Sequence, residues 1–145
     1  MHYAVLKVVT GVVAMVFLAG ITYAAEKDPM KPRVPADQMA AAKAMKNPVA
    51  STPENIAMGK AIFDGKGGCM DCHGTAGDGK GPGAMALNPS PRNFHNKDWQ
   101  KARTDGELKW VVTNGSAGTE MMPLKGFLTD EEMWQAITYV RSFRK

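Results

Sequence analysis

The feature that most constrains this chain is the pentapeptide Cys69-Met70-Asp71-Cys72-His73. It contains the only two cysteines of the 145 residues, and a histidine directly follows the second cysteine. This spacing is the attachment signature of a c-type haem, because two thiols add to the two vinyl groups of the porphyrin while the adjacent imidazole reaches the iron. The sequence therefore predicts one covalent haem, with Cys69 and Cys72 as the attachment points and His73 as an axial ligand.

Three other uses of such a cysteine pair are less consistent with the sequence. A redox dithiol of the thioredoxin kind would lie in a pattern of alternating strands and helices, and no such pattern is visible. A disulfide between Cys69 and Cys72 would close a loop too short to constrain much of the chain. A zinc site would need further ligands, and the only other histidines are His2 and His95. The haem interpretation is favoured over all three.

The first 24 residues have the pattern of a secretory signal peptide. A short basic region ending at Lys7 is followed by an apolar run and then by small residues, which predicts cleavage after Ala24. The alternative is an uncleaved membrane anchor, because the apolar run approaches the about 20 residues that span a bilayer. Export predicts a periplasmic location.

The rest of the chain divides into a linker and one small domain. Residues 25–52 are rich in Pro, Lys and Ala and are predicted to be an extended linker, with a turn or two of helix between Asp37 and Lys46. Residues 53–145 form the predicted haem domain, which carries 12 basic and 11 acidic residues. This near balance lacks the clustered positive charge of a nucleic-acid-binding surface. The hydrophobic core of so small a domain is marginal, and a buried haem would stabilise it.

Local signals in the domain predict helices. Capping boxes, in which Ser or Thr is followed three residues later by Glu, mark helix starts at Ser51, Thr104 and Thr129. Gly59 in the middle of the first of these helices indicates that another helix passes close to it. The glycine-rich stretch 74–83 is predicted to bring backbone close to a flat ligand, since it has few side chains and lacks the spacing of a phosphate-binding loop.

Four stretches together resemble a small single-haem class I cytochrome c, namely residues 55–63, 69–74, 77–82 and 118–123. The resemblance covers residues 53–145 and implies an all-α fold of three to five helices around one haem. It also implies that the last helix crosses the first at Gly59 through Tyr139 or Trp134. In this family a proline carbonyl accepts a hydrogen bond from the haem histidine, and the matching position is Pro82.

The resemblance implies that a methionine ligates the iron from the side opposite His73. Met121 and Met122 both lie where the family keeps this ligand. With Met121 as the ligand, the spacing to the upstream Gly118-Thr119 turn and to the downstream Leu128 matches the family pattern. With Met122 as the ligand, the proline that directly follows it matches instead. Met121 is therefore the predicted ligand, and Met122 remains the alternative.

Other polar and aromatic residues of the domain have two interpretations. Trp99 and Arg92 could donate to buried haem carboxylates, or could be a core tryptophan and a solvated arginine. His95 stands in a polar loop, which favours an exposed histidine over a second iron ligand.

The expected function is the transfer of single electrons between redox protein partners, without enzymatic activity, since an iron with both axial positions filled has no open position. The first alternative is a haem subunit of a larger dehydrogenase or oxidase complex, held at the membrane by an uncleaved leader. The second is an enzyme or gas sensor in which the methionine is displaced.

Overall fold

The computed structural model of the protein describes residues 28–144, and the signal peptide predicted for residues 1–24 lies outside this range. Within residues 28–144 the chain is helical and forms no strand. The elements are α1 (Met39–Ala44), α2 (Pro53–Asp64), α3 (Cys69–His73), a 3₁₀ turn (Ala84–Ala86), α4 (Lys97–Ala102), α5 (Asp105–Asn114) and α6 (Asp130–Ser142). The all-α prediction is confirmed, and the domain that begins at residue 53 contains five α-helices, α2 to α6.

Side-chain caps fix where the main helices begin. Thr104 and Thr129 each accept a hydrogen bond from the amide three residues on, and the glutamate at that position bonds back, so both capping boxes are complete. The start of α2 differs from the prediction in detail. Thr52, not Ser51, is the N-cap, and it accepts from the Asn55 amide at 3.3 Å. Helix α4 was not predicted, and it begins where the Asn96 side chain accepts from the Trp99 amide.

Helices α2 and α6 cross at Gly59, as the family resemblance implies. A Cβ atom built on Gly59 would lie 2.1 Å from the backbone oxygen of Gln135 and 2.9 Å from the Cβ of Tyr139. The Tyr139 ring then packs edge-on against Phe63, with ring centroids 5.2 Å apart. Only glycine allows the two backbones to come this close. The contact at Gly59 therefore sets the position of α2 relative to α6, and both helices contribute to the core.

The N-terminal segment (residues 28–52) packs against the domain, although it was predicted to be an extended linker. Val34 is 6% exposed and Ala42 only 1%. Helix α1 lies against α5 at Gly106, where a Cβ atom would be 1.9 Å from the backbone oxygen of Ala42. The segment packs on the domain through a few apolar side chains. The composition of the segment alone does not reveal the surface that buries them.

Between residues 28 and 144, no helix has both the length and the apolar character needed to cross a membrane.

Candidate haem-binding site

The pentapeptide forms the single helical turn α3, which places its functional side chains together. Gly68, in the left-handed conformation at φ 60°, starts the turn, and Gly74 ends it. Positions i, i+3 and i+4 of a helix share a face, so Cys69, Cys72 and His73 lie on the same side. Both thiols are free, and all three side chains line one cavity.

This cavity has a volume of about 340 Å³, within the range of about 300–1,000 Å³ that small-molecule and cofactor sites occupy. Its apolar walls come from several elements, including Leu108, Val112 and Ile137. A smaller cavity of about 50 Å³ shares Cys69, His73 and Met121 with it. The pentapeptide therefore faces an apolar space on the scale of a cofactor.

The imidazole of His73 is held by two contacts. Its Nδ1 lies 3.0 Å from the carbonyl oxygen of Arg92, and its ring stacks on Phe94 with centroids 4.5 Å apart. Because a carbonyl oxygen only accepts, Nδ1 must carry the proton, which leaves the lone pair of Nε2 for a metal. Burial lowers the pKa of His73 to about 4, so the ring is neutral at neutral pH.

The partner of His73 Nδ1 corrects the prediction made for Pro82. The acceptor is the Arg92 carbonyl, and Pro82 is exposed and does not line the cavity. The residue before Arg92 is also a proline, Pro91, which does line the cavity. The loop after the motif is long enough to bring this later proline-containing stretch, rather than Pro82, against the imidazole.

The glycine-rich stretch 74–83 lies behind α3 instead of against the cavity. The amides of Gly79, Gly81 and Gly83 donate to the carbonyls of His73, Cys72 and Asp71 at 2.9, 3.1 and 2.7 Å. A Cβ atom on Gly81 would be 2.4 Å from the Asp71 oxygen. The glycines therefore allow backbone to pack closely on backbone, and they hold α3 in place.

The cysteine thiols are protonated within the folded chain. Burial raises the pKa of Cys69 to about 11 and also raises the pKa of Cys72. Neutral thiols suit an apolar cavity, and they retain the hydrogen that addition to a vinyl group consumes.

The two methionines differ in burial. Met121 is partly buried and lines both cavities, whereas Met122 is 72% exposed and lines only the larger one. The loop is fixed around Met121, because the amide of Met121 donates to Thr119 Oγ1 at 3.2 Å and its carbonyl accepts from the Ser116 amide at 3.0 Å. The structure thus brings Met121 into the same space as His73.

Donors also face the cavity away from the pentapeptide. Trp99 is a buried lining residue, and the guanidinium of Arg92 lies over its ring at 5.6 Å. Arg103 lines the cavity too, and its Nε is buried without a hydrogen-bond partner among the described residues. A guanidinium in the cavity lining fits a ligand that carries carboxylates, as haem does. His95 is exposed and bonds to the Ala76 carbonyl at 2.7 Å, so it takes no part in the cavity.

Comparisons with known proteins agree with this geometry. The sequence matches the family model described as Cytochrome c over residues 56–144. The chain belongs to the cytochrome c family. A search of curated proteins finds no match to it. Among solved structures, this cytochrome c family member is similar to a chain of the reducing HAO-like protein complex of Kuenenia stuttgartiensis, with a TM-score of 0.62 and 28% sequence identity. The match covers 70% of this chain and 50% of that chain, so the protein spans about half the length of its structural relative.

For a member of the cytochrome c family, covalent haem c is the implied cofactor, and Cys69 and Cys72 have the spacing that it requires. The cavity fits it through free thiols, a neutral imidazole and an arginine guanidinium in its lining.

Among the features of this site that sequence reasoning missed are three within the domain itself. They are the Arg92 carbonyl, the stacking of Phe94 on His73, and Arg103. Only Arg103 had a readable signal, since it stands four residues before Glu107 at the start of a helix.

Proposed function

We propose that the protein is an exported single-haem c-type cytochrome that carries single electrons between redox proteins. Cys69 and Cys72 would hold the haem covalently, and His73 and Met121 would be the two axial ligands. One observation carries the proposal: these four side chains, from two separate parts of the chain, line one apolar cavity.

The chain's own groups suit that role. The Arg92 carbonyl and the Phe94 ring orient the His73 imidazole, so that its Nε2 is available to the iron. When bound, the haem iron supplies a centre that accepts one electron from a donor and passes one to an acceptor. Met121 would fill the remaining axial position, so the protein would bind electron partners and not a substrate.

Haem attachment tests the first part of this proposal. In a bacterium that attaches haem covalently to exported proteins, the wild-type protein should retain haem after denaturing electrophoresis. Cys69→Ala with Cys72→Ala should lose it, while Asp71→Ala, which changes an exposed side chain within the same motif, should keep it. Loss of covalent haem from both variants, or from neither, would contradict the assignment.

Ligand binding and redox titration test the second part. The reduced protein should resist carbon monoxide, because a stable methionine ligand blocks the iron, and it should titrate as a reversible one-electron couple. Ready binding of carbon monoxide would instead favour the sensor or enzyme alternative.

A second candidate is a haem subunit within a larger redox complex, held at the membrane by its leader. The likeness to a chain of a multi-protein complex, of which this chain covers half, supports it. A periplasmic fraction containing protein that begins at Ala25 would support the free carrier. Membrane-bound protein with an intact N-terminus, copurifying with other redox subunits, would support the complex.

A further inference from the structure

The N-terminal segment forms part of the wall of the haem cavity, although it precedes the stretch that matches the cytochrome c family. The family match starts at residue 56, whereas Lys31, Arg33 and Val34 line the cavity. Val34 is buried, so this contact is part of the packed structure. The segment therefore has a role in the cavity that family membership alone does not explain.

Polar contacts attach this segment to the domain along its length. The Arg103 guanidinium donates from Nη2 to the carbonyl of Met30. Further along, Trp110 Nε1 donates to Gln38 Oε1 at 2.7 Å. Each bond joins groups that are far apart in sequence, so the segment has one defined path over the domain.

Arg103 connects this segment to the cavity. Its side chain is 11% exposed, and its Nη1 donates to Glu107 Oε1 at 3.0 Å. With Nη2 on Met30 and Nη1 on Glu107, Nε is the one guanidinium nitrogen that is buried without a partner in the described chain. Each Nη of a guanidinium carries a second N–H, so Arg103, which lines the cavity, has donors left for a carboxylate there.

We propose that Lys31 and Arg33 of the N-terminal segment, together with Arg103 of the domain, form a basic wall that binds the propionate carboxylates of the haem. The inference rests on the covalent haem proposed above. The N-terminal segment then contributes side chains that bind the haem. Arg103 has two roles, because it binds a carboxylate and also holds the segment in place.

This wall would influence the redox centre by simple electrostatics. Positive charges beside the propionates offset negative charge that otherwise disfavours the reduced iron. The segment would also reduce the access of water to that part of the cavity, which would strengthen the interaction. Removing the charges should therefore lower the midpoint potential.

The test uses the full-length haem protein and two matched double variants. Lys31→Gln with Arg33→Gln removes two positive charges that line the cavity. Lys43→Gln with Lys46→Gln removes the same charge from exposed positions of the same segment that do not line it. We expect the first pair to lower the midpoint potential, with a larger shift at low ionic strength, and the second pair to leave it nearly unchanged.

Equal shifts from both pairs, or no shift from the first, would overturn the inference. Because the three lysines are exposed and Arg33 is partly exposed, the variants should fold, and an unchanged visible spectrum would confirm it. Arg103→Lys gives an independent measurement. It keeps the positive charge but loses the planar guanidinium, whose separate nitrogens bond Met30 and Glu107. Hydrogen exchange within residues 28–47 should therefore increase. Unchanged exchange there would contradict the holding role. A protein without covalent haem would instead contradict the proposed function.

Discussion

The backbone oxygen of Gln135 in α6 lies 2.1 Å from the point where a side chain on Gly59 of α2 would begin. Gly59→Leu should therefore force the two helices apart. We expect the free energy of unfolding to fall by more than the about 1–3 kcal/mol typical of overpacked cores. Chemical denaturation followed by circular dichroism measures it.

Ala57→Leu is the matched control for this prediction, because it adds the same side chain at an exposed position of the same helix. It should change stability little. If Gly59→Leu were as mild as Ala57→Leu, the close crossing of α2 and α6 would be wrong.

The two neighbouring methionines should behave differently when each is replaced. Met121→Ala should abolish the far-red absorption band of a methionine bound to ferric iron and should lower the midpoint potential, because the thioether favours the reduced state. Met122→Ala is the control, and it should keep the band, since Met122 is largely exposed. The reverse pattern would assign the ligand to Met122, and a band that survives both changes would exclude this loop from the iron.

Gly106→Ala separates helix propensity from packing. In an isolated helix this change should stabilise by about 1 kcal/mol. In the protein, a Cβ atom at this position would meet the Ala42 carbonyl at 1.9 Å, so we expect a net loss of stability and faster hydrogen exchange in α1. A gain in stability would show that α1 does not rest on α5.

Glu107 should make the stability of the protein depend on pH. Burial of its carboxylate acts to raise the pKa, but hydrogen bonds from the Thr104 amide and from Arg103 outweigh it and hold the pKa below its ordinary value of 4.5. A pKa that is lower in the folded chain contributes stability above the unfolded value, and this stability is lost as the pH falls through the folded value.

Glu107→Gln, which does not titrate, should cost about 1.5–3 kcal/mol near neutral pH, as expected for a hydrogen bond to a charged group. The difference in unfolding free energy between wild type and variant should shrink below pH 4.5. Asp37→Asn removes one exposed carboxylate and is the control for the loss of charge. A difference that stays constant on acidification would contradict the role assigned to Glu107.

Local chemistry made part of this structure predictable from the sequence. Two predicted features depend on residues close together in sequence, namely the haem motif and the capping boxes at Thr104 and Thr129. A third, the helix crossing, depends on the absence of a side chain at Gly59. One stretch of sequence was enough to predict the motif and the caps, whereas Gly59 indicated only that some helix lies close and the family resemblance indicated which one.

The path of the loops was not predictable in this way. Pro82 was predicted to face His73, whereas the chain continues to Arg92 before it supplies a carbonyl. Likewise, nothing local to Val34 reveals the surface that buries it. Both depend on contacts between distant residues, whose free energy is decided by the packing of the whole domain.

The packing of Val34 and Arg33 in the cavity wall also affects where this protein can be divided. A gene trimmed to the family match would encode residues 56–144 and would retain Cys69, His73 and Met121. The shortened product would nevertheless leave one flank of its cavity open to water. The stretch that can be recognised as a cytochrome c is therefore shorter than the stretch that encloses the cavity.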